Sequence, residues 1–119
     1  MPGKLSTHAL DIHRGSPASG LSITLIRLEG KGNRVALKTA VTNADGRTDA
    51  PMLGPDEIKI GVYELVFAVG DYFRLAGIAL STPPFLDEVP VRFAVADASA
   101  AYHVPLLFSP WAYSTYRGS

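Results

Sequence analysis

Apolar and polar positions alternate with a period of two over several short stretches of this chain. Val89, Val91, Phe93 and Val95 are separated by Pro90, Arg92 and Ala94, and Tyr63, Leu65, Phe67 and Val69 repeat the pattern around Glu64. Successive side chains of a strand point to opposite faces, so both segments read as half-buried strands. Val35, Leu37, Thr39 and Val41 alternate with Ala36, Lys38, Ala40 and Thr42, and this run enters Asn43-Ala44-Asp45-Gly46, whose last pair is a common turn signal. Further strands are predicted over residues 5–12, 21–28, near 47–50, over 102–108 and over 113–117. Only residues 71–79 carry helical spacing, through Tyr72, Leu75, Ala76 and Ala79, with Gly70 or Asp71 placed to cap them. The 11 glycines and 9 prolines exceed average usage and punctuate these segments, which keeps the strands short. About eight short strands and one short helix predict an all-β fold, a two-sheet antiparallel β-sandwich, because each sheet must bury its apolar side against something. No internal repeat, linker or low-complexity stretch interrupts the chain, so residues 1–119 read as a single domain.

Composition narrows the function classes. At 47% apolar residues the chain can build a core, and a chain of this size buries roughly 65% of the surface its unfolded form exposes. The 11 basic side chains balance the 11 acidic ones and are scattered, which removes the footprint of a nucleic-acid or anionic-membrane binder. With no cysteine, thiolate chemistry, disulfides and iron–sulfur clusters are excluded. No apolar run approaches the roughly 18 residues that span a bilayer, and residues 1–11 lack the charged start and apolar stretch of a signal peptide. A cytoplasmic location is the resulting expectation.

One region departs from this ordinary surface. Residues 98–116 contain no Asp, Glu, Lys or Arg, in a chain that is 18% charged, and they hold Tyr102, Phe108, Trp111, Tyr113 and Tyr116. A strand in a lone sandwich needs one solvated face. Either Ser109, Ser114, Thr115 and the tyrosine hydroxyls solvate that face, or a subunit interface covers it. Interfaces enrich aromatics and exclude charge, so the second reading is preferred.

Polar residues with chemical potential are few. Period-two alternation puts His8 on one face with Ser6, Leu10 and Ile12, while His13 lies at the exit into the turn Arg14-Gly15-Ser16-Pro17 and reads as surface. His103 faces opposite to Tyr102, Val104 and Leu106. Taken singly, His8 and His103 each read as structural, hydrogen-bonded histidines, and spacing alone cannot bring them together. Zinc requires three or four ligands, usually with a short-spaced pair, and His8 and His13 are five apart on opposite strand faces, so no metal site is predicted. No phosphate-binding glycine loop or nucleophile elbow is present. Arg47 follows Asp45-Gly46 at a turn, and the final Tyr116-Arg117-Gly118-Ser119 ends the uncharged segment in a cation and a free carboxylate.

Read together, Leu5-Ser6-Thr7-His8 with Leu10-Asp11, Arg14-Gly15-Ser16-Pro17-Ala18, Asp45-Gly46-Arg47, residues 103–110 from His103 to Pro110, and Tyr116-Arg117-Gly118-Ser119 make a pattern that resembles the 5-hydroxyisourate hydrolases, the transthyretin-related enzymes of urate breakdown. The resemblance spans nearly the whole chain. Its most specific mark is the terminal tetrapeptide, which transthyretin proper lacks. It implies a transthyretin-like (prealbumin-like) sandwich, a homotetramer built as a dimer of dimers, and active sites in the channel between dimers. It further implies that 5-hydroxyisourate, a flat oxidised purine, is opened by water at a ring carbonyl to give 2-oxo-4-hydroxy-4-carboxy-5-ureidoimidazoline. Carried over by motif, the catalytic residues fall on His8, Arg47, His103 and Ser119, with Tyr116, Arg117 and Gly118 binding substrate. No metal or organic cofactor is implied, and the partners are the small-molecule substrate and other copies of the chain, with neither nucleic acid nor membrane. An imidazole can take a proton from water near neutral pH, and a guanidinium can steady a developing oxyanion. Which histidine serves as base stays open. The competing expectation is a transthyretin-like carrier of an aromatic, hormone-type ligand, which needs an apolar channel and no base.

Overall fold

A computed structural model describes residues 2–118 of the chain. Its strands are β1 (Lys4–Ser6), β2 (Ala9–Asp11), β3 (Ser16–Pro17), β4 (Ser22–Glu29), β5 (Asn33–Val41), β6 (Gly61–Phe67), β7 (Val89–Val95), β8 (Ala101–His103), β9 (Leu106–Phe108) and β10 (Tyr113–Thr115), with one α-helix, α1 (Val69–Leu75), between β6 and β7. One layer is a four-stranded sheet in the order β5-β4-β6-β7, antiparallel throughout. The alternation read in the sequence holds there. Tyr63, Leu65 and Phe67 of β6 and Val89, Val91 and Val95 of β7 are buried, each contributing on the order of 1.5–3 kcal/mol by leaving water. At the edge strand β5 the larger apolar residues Val35, Leu37 and Val41 face outward instead, and Ala40 packs against the core.

The second layer corrects the expectation of purely antiparallel pairing. It contains β10-β9-β2-β3, continued by the pair β1-β8, and in it the N-terminal segment runs parallel to residues 101–108. No hairpin joins these two segments. The chain reaches the second only after crossing the other sheet, and a crossover connection permits a parallel neighbour. Each predicted long strand is also cut in two at the same level. Pro105 has no N–H to donate, and the Thr7 hydroxyl donates to the Val104 carbonyl at 2.7 Å. Pairing resumes where Leu106 N–H donates to the His8 carbonyl at 2.9 Å. The short strand expected near 47–50 does not form. There Arg47 makes only an isolated bridge to His8, and the following loop returns to the sheet at Leu53, which bridges Leu5. The last strand stops at Thr115, whose hydroxyl donates to the Pro105 carbonyl at 2.7 Å.

The helix begins and ends two to four residues before the predicted 71–79. Val69 therefore opens α1 rather than extending β6, and Ala68, not Gly70 or Asp71, occupies the cap position. Gly77, at φ 79°, ends it, with its N–H donating to the Arg74 carbonyl and that of Ile78 to Phe73. This is the left-handed termination that a glycine inside the predicted span favours. Phe73 and Tyr72 of α1 pack edge-on with Phe108 of β9. The Tyr72 hydroxyl donates to buried Asp11 at 2.8 Å. Burial and the Asp11 charge push the phenol up to about 12. No helix among the described residues is long and apolar enough to cross a membrane.

Candidate active site

Along β1 and β2, Leu5, Thr7, Ala9 and Asp11 are buried, and Ser6, His8 and Leu10 are half-buried on the other face. His103 of β8 is likewise half-buried while its neighbours Tyr102 and Val104 are buried. The parallel register places Ser6 directly opposite His103. His8 stands two residues further along the same face, about 7 Å along the strand. Two segments nearly a hundred residues apart in sequence thereby present both imidazoles on one surface.

Arg47 is delivered to this surface by the turn before it. The Asn43 side-chain oxygen accepts from the N–H groups of Asp45 and Arg47, and the Asn43 N–H donates to the Arg47 carbonyl at 2.8 Å. Gly46 closes the turn at φ 75° with its Cα tight against the second layer, where a Cβ would stand 2.3 Å from the Ala9 carbonyl oxygen. Its own carbonyl accepts from Ala9 N–H at 2.8 Å. Only glycine fits both demands. Arg47 then bridges His8 in antiparallel pairing, with its side chain exposed.

The two histidines differ in their contacts. His8 Nε2 lies 2.9 Å from the Asp45 carbonyl oxygen. A carbonyl can only accept, so Nε2 of His8 carries a proton and donates it. His103 instead uses Nδ1, 2.9 Å from the Ser6 hydroxyl. No partner among the described residues occupies its Nε2. Burial, followed by the positive charges of Arg47, His8 and Lys4, holds His103 below the ordinary histidine pKa. These three charges acting on one imidazole are the electrostatic trace of the convergence. Among the described residues, Lys4, His8, Arg47 and His103 enter no salt bridge with a carboxylate.

The terminal tetrapeptide divides between two places. Gly118 pairs with His103, donating its N–H to the His103 carbonyl at 2.7 Å, and a Cβ on Gly118 would sit 2.6 Å from Cδ2 of the imidazole. Tyr116 and Arg117 turn to the other face of β8. With Val91, Phe93, Tyr102 and Val104 they line a cleft of about 300 Å³ between β7 and the C-terminal segment. The Arg117 guanidinium stacks 4.3 Å above the Tyr102 ring and donates to the Ala101 carbonyl. Ser119 lies outside the described residues. His13, read as surface, is exposed and meets Phe73 and Trp111 edge-on.

Ser6 and Asn43 were not singled out from the sequence. Ser6 carried a signal, since it shares the His8 face at a spacing of two. Asn43 carried a weaker one, because a turn containing Asp45-Gly46 needs an acceptor for its N–H groups. No group of three or more His, Cys, Asp or Glu that could hold a metal occurs among the described residues.

Comparison with known proteins bears on this geometry. The family model described as HIUase/Transthyretin family matches residues 5–118. A 5-hydroxyisourate hydrolase of Ralstonia nicotianae is 56% identical over 117 residues, which is 98% of this chain and 99% of that protein. Among solved structures, the 5-hydroxyisourate hydrolase of Klebsiella pneumoniae matches with a TM-score of 0.79 at 36% identity, over 98% of this chain and 99% of that one. Transthyretin from Sparus aurata matches with a TM-score of 0.85 at 25% identity, over 97% and 96% of the two chains.

Proposed function

The chain belongs to the HIUase/transthyretin family and hydrolyses 5-hydroxyisourate, and from that premise we propose that His103 activates the water, with His8 and Arg47 holding the substrate and the charge it develops. The observation that carries this assignment is the different use of the two imidazoles. His8 Nε2 is committed to donating to the Asp45 carbonyl, whereas His103 Nε2 is free of protein partners among the described residues. The lowered pKa of His103 keeps it neutral, and so able to accept a proton, at neutral pH.

In the proposed step, His103 Nε2 takes a proton from water as the oxygen bonds to the ring carbonyl carbon. The carbonyl oxygen becomes an oxyanion, and the Arg47 guanidinium supplies its counter-charge. When the oxyanion collapses, the ring C–N bond breaks, and the proton on His103 goes to the departing nitrogen. The oxygen that came from water ends in the new carboxyl group. Base assistance of this kind is typically worth about 10² to 10⁴ in rate. Gly118 meets His103 on the same surface, and Ser119, which lies outside the described residues, is assigned to catalysis with it by the family motif. Arg117 braces that end through Tyr102, and Tyr116 follows it along the same segment.

A carrier of an aromatic hormone-type ligand would need an apolar channel, and the converging imidazoles and guanidinium favour a small polar heterocycle instead. The assembly we propose is the homotetramer, a dimer of dimers. It is supported by the edges of β7 and β10, which pair with no further strand among the described residues, and by exposed Trp111, Tyr113 and Tyr116 in the charge-free segment. Light scattering that shows only monomer at micromolar concentration would remove it. The deciding experiment is kinetic. Freshly generated 5-hydroxyisourate should disappear well above its spontaneous rate with the parent chain. His103→Asn should lower turnover by about 10² or more with little change in Tm. Equal turnover in parent and variant would end the assignment of His103.

A further inference from the structure

We propose that Ser6 is a positioning residue for the hydrolysis, its hydroxyl accepting the Nδ1 proton of His103 so that the Nε2 lone pair faces the water. The inference rests on the hydrolytic reading above and adds a residue to it. The Ser6 hydroxyl oxygen is 2.9 Å from His103 Nδ1, and the two residues are direct partners in the parallel β1-β8 register. Ser6 is held from its backbone as well, because its carbonyl accepts from Val104 N–H at 2.9 Å. On the other side, Gly118 closes against the imidazole so tightly that a Cβ would stand 2.6 Å from Cδ2. The ring is therefore clamped between a hydroxyl and a bare Cα.

A hydroxyl both donates and accepts, so the same contact permits two tautomers. If Ser6 donates to Nδ1, the proton of the neutral ring sits on Nε2, and that nitrogen cannot act as a base. If Nδ1 donates to Ser6, Nε2 is a lone pair. Catalysis by His103 requires the second arrangement. The groups facing this ring, Arg47, His8 and Lys4, are all positively charged or able to become so. They disfavour protonating both nitrogens, so the ring stays neutral, and in the reactive form the Ser6 contact anchors its single proton on Nδ1. Without Ser6, Nδ1 would have no fixed partner to hold its proton, and the ring would divide between its tautomers.

The test uses the full chain with ¹⁵N-labelled histidine, Ser6→Ala and Ser6→Thr. Above the His103 titration, the parent's ¹⁵N shifts should report one tautomer, protonated on Nδ1. In Ser6→Ala they should move toward a mixture, and kcat on 5-hydroxyisourate should fall about tenfold with KM and Tm little changed. Ser6→Thr keeps the hydroxyl and should restore both the tautomer and kcat. An active parent whose Ser6→Ala variant keeps its kcat and its single tautomer overturns the positioning role alone. So does a folded Ser6→Thr variant that rescues neither. A parent that does not accelerate the reaction overturns the hydrolytic reading itself, and the ¹⁵N spectrum then still reports whether Ser6 sets the tautomer.

Discussion

On the outer face of the antiparallel sheet, Glu64 is only 4% exposed, yet it accepts from Arg34 of β5 and Arg92 of β7, while Thr24 meets Thr39 across β4 and β5. On the face that carries Ser6, His8 and His103, basic groups converge from three segments and enter no salt bridge among the described residues. Both regions bring cationic side chains together, but the first closes its charges within the chain. Burial raises the Glu64 pKa, and the hydrogen bonds and charges of the two arginines outweigh that effect and hold it below the usual glutamate value. The second region depresses the pKa of a base instead. A site that must meet a developing anion gains from leaving its positive charge uncompensated, because an internal acid would compete with the substrate for it.

The sharpest way to break this contrast is to remove a charge from each region. Arg47→Ala should cut kcat/KM by about 10² to 10³ while thermal melting stays close to that of the parent. Loss of folding would instead place Arg47 with the structural charges. Glu64→Gln should do the reverse, since it leaves two arginines facing each other across a neutral amide. A loss of about 1–3 kcal/mol, seen as a Tm lowered by several degrees, is expected with kcat/KM unchanged. A variant as stable as the parent would show that the Glu64 pairs contribute nothing net.

Gly118→Ala tests how closely the second region is built. The added methyl must push the imidazole aside, and about tenfold in kcat should be lost with folding intact. An unimpaired Gly118→Ala enzyme would mean the ring tolerates displacement. The smallest effect concerns pH. Because His103 titrates below 6.5, its ordinary value, kcat/KM should fall on acidification only below that pH. In the same range the unfolded chain takes up the proton more readily than the folded one, so His103 withdraws stability as pH falls below 6.5 and costs none above it. Lys4→Gln removes the weakest of the named charges, and the His103 midpoint, followed by NMR titration, should move upward. A downward shift would contradict the electrostatic account.

Strands β6 and β7 were legible because one face of each packs its apolar side chains into the core while the other carries Glu64 and Arg92, which forces a period of two into the residue pattern. The same rule put His8 with Ser6 and His103 opposite Tyr102. It missed the end of the helix, where Gly77 stops α1 inside a run that keeps helical spacing. It also missed the cuts at residues 7–8 and 104–105, since a proline in a strand pattern shows that a donor is absent but not how the neighbouring strand answers. The family itself was readable from short motifs spread over the whole chain.

Local sequence thus determined which side chains share a face, which turns need glycine and which segment avoids charge, because those properties depend on backbone geometry and solvent over a few residues. The tertiary structure alone decided that β1 lies parallel to β8, that Ser6 meets His103, and that Tyr116 and Arg117 part from Gly118 at the end of the chain. Pairing between distant segments is chosen by the packing of two whole sheets, and no spacing along the chain encodes its direction or register.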